Sequence, residues 1–145
     1  MGGEHWLQSK ENDIGLTTVI QDISQVAVSG LEGTTYKDQT QGGKTMNGES
    51  GAITIAGEVD RLYSSDSAQP IVVAEKNKPK YEITQDLMSD VVVWNPWVEK
   101  AKGIADLGPE DGYKKMICVE AGSVATWNTL EAGDTWEGGQ RIRML

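Results

Sequence analysis

In KMICVEAGSV, residues 115–124, a glutamate interrupts an apolar run: Met116, Ile117, Cys118 and Val119 precede Glu120, and Ala121, Gly122 and Val124 follow. Taking a carboxylate out of water is expensive unless something pairs with it or uses it. A second group of acids stands in AITIAGEVDRLY, where Glu58 and Asp60 are followed directly by Arg61. Strand alternation puts Glu58 and Asp60 on one face and Val59 on the other. Carboxylates in such settings can move protons as general acids or bases. The residues alone leave a plainer account open for each group. Asp60 and Arg61 also read as a solvent-side ion pair at a strand end, and Glu120 as a carboxylate turned to water from a half-exposed strand. Neither pattern names a reaction.

Other chemistries are thinly supplied. Cys118 is the sole cysteine, which excludes an internal disulfide and a cysteine-built metal centre. Its simplest use is as core filler. His5 is the sole histidine, which excludes a multi-histidine zinc site. No metal and no cofactor are therefore expected. A net charge of −9 opposes nucleic acid binding, and only Arg61, Arg141 and Arg143 are available to grip a phosphate. The acidity reads as a solvated surface. No apolar run is long enough to span a membrane, and MGGEHWLQSKEND lacks the basic start and apolar stretch of a signal peptide. A cytoplasmic chain with a reduced cysteine is the expectation.

The elements that must position these acids are short strands separated by Gly, Asn, Asp and Ser clusters. Val26 and Val28 alternate with polar neighbours in SQVAVSG, and Ile53 and Ile55 do so in GAITIAGEVD. IVVAE (71–75), KYEIT (80–84), VVVW (91–94), MICVE (116–120) and SVATWNTL (123–130) continue the series. Spacing of this kind belongs to an all-β sandwich or barrel. One segment departs from it: WNPWVEKAKGIADLGPEDG predicts a short helix near 96–106. Asn95 can cap it, Pro96 suits its first position, and Trp97, Ala101, Ile104 and Ala105 share a face. Gly108-Pro109 stops it. Residues 1–15 read as a flexible lead-in and 16–145 as one domain. LEAGDTWEGGQRI reads as a turn at Ala132-Gly133-Asp134 between two strands.

VVVWNPWVEKAKGIADLGPEDGYKKMICVEAGSV, followed by TLEAGDTWEGGQRI, resembles the C-terminal part of the hexose-6-phosphate mutarotases. These glucose-6-phosphate 1-epimerases are a branch of the aldose 1-epimerase, or galactose mutarotase-like, family. GEVDRLY and DISQVAVSGLEGTTYKDQ are similar to the family's preceding segments, so the likeness runs over about residues 20–145. It corresponds to only about the C-terminal half of a typical member. The resemblance implies an incomplete β-supersandwich acting on a hexose 6-phosphate, whose ring it opens and recloses on the other face. In that family a glutamate in the CVEAG segment takes the C1 hydroxyl proton, which makes Glu120 the catalytic base here. The aspartate of the GEVDR segment binds sugar hydroxyls and matches Asp60, with Arg61 beside it. Trp94 and Asn95 match the WNPW segment as supports or pocket walls.

Departures from the family bear on the same chemistry. Its acid histidine opens an HTYF motif just before the DIS segment, where this chain has LTTVIQDIS with Thr17 or Thr18 near that place. The arginines that hold phosphate and sugar belong to the family's N-terminal half. Several family phenylalanines are replaced here, as at Ile55 and Leu107, and the chain has no Phe at all. Three readings follow: a truncated mutarotase that is weakly active or inactive alone, a non-catalytic sugar- or protein-binding module, or a structural subunit of a larger assembly. Half a supersandwich also exposes sheet edges and an apolar face, which a second copy in a homodimer or a protein partner would cover.

Overall fold

Alternating apolar residues build two antiparallel sheets, and each turns its apolar side to the other. The computed structural model describes residues 17–65 and 69–145. The strands are β1 (Thr17–Val19), β2 (Val26–Ser29), β3 (Tyr36–Asp38), β4 (Lys44–Met46), β5 (Ile53–Thr54) and β6 (Val59–Ser64). They continue with β7 (Ile71–Glu75), β8 (Lys78–Asp86), β9 (Asp90–Asn95), β10 (Met116–Gly122) and β11 (Gly139–Met144), and one α-helix, α1 (Trp97–Ala101), follows β9. One sheet has six strands in the order β1-β10-β9-β6-β3-β4, and the other has five in the order β11-β8-β7-β2-β5.

The core lies between the sheets. Val59, Tyr63, Val91, Val93, Ile117 and Val119 of the six-stranded sheet cluster with Val26, Val28, Ile71, Val73 and Ile83 of the other. Each such side chain, fully buried, stabilises by about 1.5–3 kcal/mol before conformational entropy is set against it. In β9 the two-residue period is plain: Val91, Val93 and Asn95 point into the core side, while Asp90, Val92 and Trp94 point the other way. Asn95 is wholly buried. Its Nδ2 donates to the carbonyls of Tyr113 at 2.8 Å and Met116 at 2.9 Å, and its Oδ1 accepts the Trp97 N–H at 2.9 Å. One amide thus ties β9, the start of α1 and the entry to β10 together.

The helix is present but shorter than its apolar spacing suggests. It ends at Ala101, and the chain continues through turns in which Gly103 N–H bonds to Lys100 O and Ile104 N–H to Ala101 O. Gly103 disfavours helix by about 1 kcal/mol, and a run this short gains little from propagation. Trp97 opens the helix at φ 55°, a left-handed conformation that a tryptophan rarely adopts. The strand expected over SVATWNTL does not form. Val124 and Ala125 give their N–H groups to the Asp90 carboxylate instead of to a ladder, and Trp127 is 98% exposed. The turn near Gly133 exists, with Asp134 N–H bonded to Glu131 O, but only β11 flanks it. KYEIT extends to all of β8, the strand read into GEVDRLY runs on to Ser64 as β6, and β1, β3 and β4 add strands that the pattern leaves unmarked. The lead-in 1–15, with His5, lies outside the described residues.

Glu75 closes one end of the core. Its side chain is 2% exposed. Oε1 accepts the N–H groups of Gln21 at 2.9 Å and Asp22 at 2.7 Å, and Oε2 pairs with the Lys80 ammonium. Burial pushes its carboxyl up, but the Lys80 contact and the two backbone donors outweigh burial and hold it below the ordinary glutamate value. A carboxyl lowered on folding adds stability above the unfolded pKa, near 4.3, and loses it as pH falls through the folded value. Glu75→Gln is therefore expected to lower the urea midpoint at pH 7, with the gap to the parent shrinking below pH 4. A gap that persists unchanged at pH 2–3 would show that Glu75 acts by shape rather than charge.

Candidate functional site

Three of the residues singled out by their chemistry meet on one side of the six-stranded sheet. β10 pairs with β9 so that Glu120 lies opposite Val92 and Cys118 opposite Trp94. β9 pairs with β6 so that Trp94 lies opposite Asp60 and Val92 opposite Leu62. Residues opposite one another share a face, and so do alternate residues of one strand. Glu120, Cys118, Val92, Trp94, Leu62 and Asp60 therefore form one patch, turned away from the inter-sheet core. Glu120 and Asp60 are two strands and two residues apart, about 12 Å between α-carbons.

Glu120 is half-buried near the end of β10. Burial pushes its carboxyl above the ordinary glutamate range, and the neighbouring Cys118 thiol pulls the other way without cancelling that push. Cys118 is two residues before Glu120, so the pleat places the thiol beneath the carboxylate. That spacing was legible in the sequence, though a lone cysteine there reads first as core filler.

Asp60 has a different neighbourhood. Burial raises its carboxyl too; Lys100 pulls it down, and Glu58 and Asp38 push it further up. Lys100, from α1, approaches Glu58 Oε1 at 2.6 Å and Asp60 Oδ2 at only 3.7 Å. The ammonium is thus committed to Glu58 first, which explains why Asp60 stays raised while Lys100 is raised as well, chiefly by its bond to Glu58. Glu58 and Asp60 do share a face, as alternation requires. Lys100 is the residue the sequence does not flag, because helical spacing alone does not say which strand α1 lies against.

Arg61 is separated from this patch. It stands opposite Val93, on the core side of β6, where its guanidinium lies 4.6 Å over the Tyr36 ring. Nη1 donates to the Tyr63 hydroxyl at 3.2 Å and pairs with Glu49 at 3.4 Å. The solvent-side Asp60–Arg61 pair is therefore corrected: adjacent strand residues point to opposite faces, and each finds another partner. Arg61 is also remote from the face on which Asp60 and Glu120 stand. Asn95 likewise has its amide turned inward, so it supports the WNPW segment and offers nothing outward; Trp94, half-buried, walls the patch.

Concavities of about 500 Å³, beside Trp97 and Tyr113, and about 400 Å³, between β8 and β11, lie elsewhere. Neither is lined by Glu120 or Asp60. Among the described residues no group of three or more His, Cys, Asp or Glu is placed to hold a metal, and no helix is long and apolar enough to cross a membrane.

Residues 18–143 match the family described as aldose 1-epimerase. A Cenchrus ciliaris protein named "Putative glucose-6-phosphate 1-epimerase" is 35% identical over 119 residues, covering 82% of this chain and 36% of its own length. A Haemophilus influenzae protein of the same name is 29% identical over 116 residues, covering 80% of this chain and 40% of itself. Among solved structures, the Salmonella typhimurium "putative mutarotase (YeaD)" superposes with a TM-score of 0.65 at 29% identity, over 72% of this chain and 35% of that one. The structure of HI1317 superposes with a TM-score of 0.67 at 27% identity, over 88% of this chain and 43% of that one. The two-sheet fold is that of these mutarotase structures in part: the chain spans well under half the length of the relatives it matches.

Two measurements check the electrostatics of Glu120. Cys118→Ala removes the donor that lowers the Glu120 carboxyl, so its midpoint in a ¹³C NMR titration is expected to rise; a fall would contradict the thiol contact. Linkage gives the second. A glutamate raised on folding contributes stability below its unfolded pKa and loses that contribution as pH rises through the folded value. Glu120→Gln is therefore expected to be more stable than the parent at pH 7, the difference closing toward pH 4. A variant less stable than the parent at pH 7 would contradict the burial account.

Proposed function

The chain belongs to the aldose 1-epimerase family, and from that premise we propose that it carries the glutamate side of a hexose-6-phosphate mutarotase site. The observation that carries this reading is the shared face: Glu120, with its proton affinity raised by burial, stands across Val92 and Trp94 from Asp60. Relatives named for glucose-6-phosphate 1-epimerase activity support the choice of a sugar phosphate.

Mutarotation needs one proton removed and one supplied. The Glu120 carboxylate takes the proton of the C1 hydroxyl, and the electrons left on that oxygen form the carbonyl as the C1–ring oxygen bond breaks. The ring oxygen takes a proton, the C1–C2 bond turns, and reversal of the same transfers closes the ring with the other configuration. A carboxylate raised above the ordinary range is a stronger base for the first transfer. Asp60 accepts hydrogen bonds from sugar hydroxyls and fixes the ring against the patch, with the Trp94 indole as a wall. The acid for the ring oxygen is not on this face. The described residues contain no histidine, the acid that the family resemblance implies, so that proton comes from another acid or from water, and slow turnover is expected. The same observation favours the second reading, a module that binds sugar without converting it.

Among the described residues, the charged and titratable groups on or beside this face are Glu120, Cys118, Asp90, Asp60, Glu58, Asp38, Lys100 and Lys37. The base works only when ionised, so the rate is expected to climb as pH rises through the raised Glu120 value and then level off. Anomer exchange of glucose 6-phosphate, followed by NMR against buffer alone, tests the assignment. A small acceleration is expected, abolished in Glu120→Gln. Asp60→Asn is expected to raise KM about tenfold with a lesser effect on kcat, since it weakens a hydrogen bond to a charged acceptor. An acceleration that survives in Glu120→Gln would overturn the role of Glu120, and binding of the sugar phosphate with no acceleration would select the second reading.

A further inference from the structure

Asp90 begins β9, and its side chain is buried, 2% exposed. It lies opposite Gly122 in the ladder, so it shares a face with Glu120 and sits one diagonal step from it. A buried carboxylate requires partners. Asp90 Oδ2 has two, accepting the N–H groups of Val124 at 2.7 Å and Ala125 at 2.8 Å. Two consecutive amides caught on one oxygen bend the chain leaving β10 back over the end of the face.

Gly122 registers the same bend independently. A β-carbon there would come within 3.0 Å of Val124 Cγ2, tighter than ordinary contact. The Val124 side chain thus stands where a residue-122 side chain would be, and in a strand that place is the next one after Glu120 on the same face.

We propose that Asp90 is a positioning residue for Glu120: by pinning Val124 and Ala125 it builds the end wall of the face on which the glutamate works. The inference rests on the reading of Glu120 as the base and extends it to the loop beyond β10. Glu120 owes its raised proton affinity to burial, and a wall that excludes water at the end of the face maintains that burial. If the loop is released, water reaches the carboxylate and its proton affinity falls toward that of an exposed glutamate.

Asp90→Ala and Asp90→Asn in the full chain separate geometry from charge. Both remove the negative charge, but only Asn keeps an oxygen that can accept the two N–H groups. Asp90→Ala is expected to speed hydrogen exchange at the Val124 and Ala125 amides about tenfold, the loss of roughly one hydrogen bond, and to lower the Glu120 midpoint in a ¹³C titration. Asp90→Asn is expected to retain much of the protection and shift Glu120 less. Equal shifts of Glu120 in the two variants, or lost amide protection with the Glu120 midpoint unmoved, would overturn the proposal. Val124→Gly, at an exposed position with Asp90 intact, decides the matter if Asp90→Ala does not fold: a lowered Glu120 midpoint supports the wall, and an unchanged one removes it. The titration is independent of turnover. A parent chain that fails to accelerate anomer exchange, while Glu120 still answers to Asp90, would sink the catalytic reading and leave the positioning intact. Where the parent does accelerate it, Asp90→Ala lowers kcat with little change in KM.

Discussion

The pleat of β9 is the constraint on which the rest of the described fold depends. This strand is flanked by β10 on one side and β6 on the other, so both of its edges are occupied. Val91 and Val93 must enter the core, and once they do, every other residue of the strand is committed. Asn95 goes inward to tie α1 and the start of β10. Asp90, Val92 and Trp94 go outward to the face that carries the acids. Neighbouring strands inherit this assignment through the register. Glu120 and Asp60 share a face because each is an odd number of steps from a valine or tyrosine of its own strand that cannot leave the core.

Much of this was legible in the sequence, because period-two alternation and the chemistry of turns are local signals. β2, β7 and β9 fall where Val and Ile alternate or run together, and the common face of Glu58 and Asp60 follows from spacing alone. The failures have physical causes that local pattern does not contain. SVATWNTL has the β-branched and aromatic content of a strand, but Asp90, more than thirty residues earlier, takes the amides that a ladder needs. Helical spacing over 96–106 was real, yet it ignored the weakness of a short helix interrupted by Gly103. Asp60 and Arg61 are adjacent and opposite in charge, which suggests a pair until the pleat is applied to both. Lys100 could not be placed, since its position depends on how α1 docks.

The carboxylates of this chain divide by the kind of partner they find. Glu75, Asp38 and Asp90 accept backbone N–H groups, and these bonds fasten loops to strands at three corners of the sandwich. Such donors are fixed by the fold and hold a buried acid in place. Among the described residues no backbone N–H group is bonded to the Glu120 carboxylate; the side chain beside it is the Cys118 thiol, and a thiol is a weak donor. A carboxylate so placed strains against its surroundings when ionised, which disfavours folding and favours proton uptake. The burial that raises its proton affinity is the same property that makes it a poor structural element.

Lys100 adds a consequence of another kind. Its side chain is about half exposed, and it bonds to Glu58 in preference to Asp60. Ion pairs in such positions weaken as dissolved ions accumulate, because the screening length shrinks to about 8 Å at physiological ionic strength and to 3 Å at 1 M. The Asp60 end of the face is thus coupled to the salt around the protein. The Glu120 end, set chiefly by burial, is not. Two acids about 12 Å apart on one sheet answer to different properties of the solvent, so the medium can alter one end of the face and leave the other as it is.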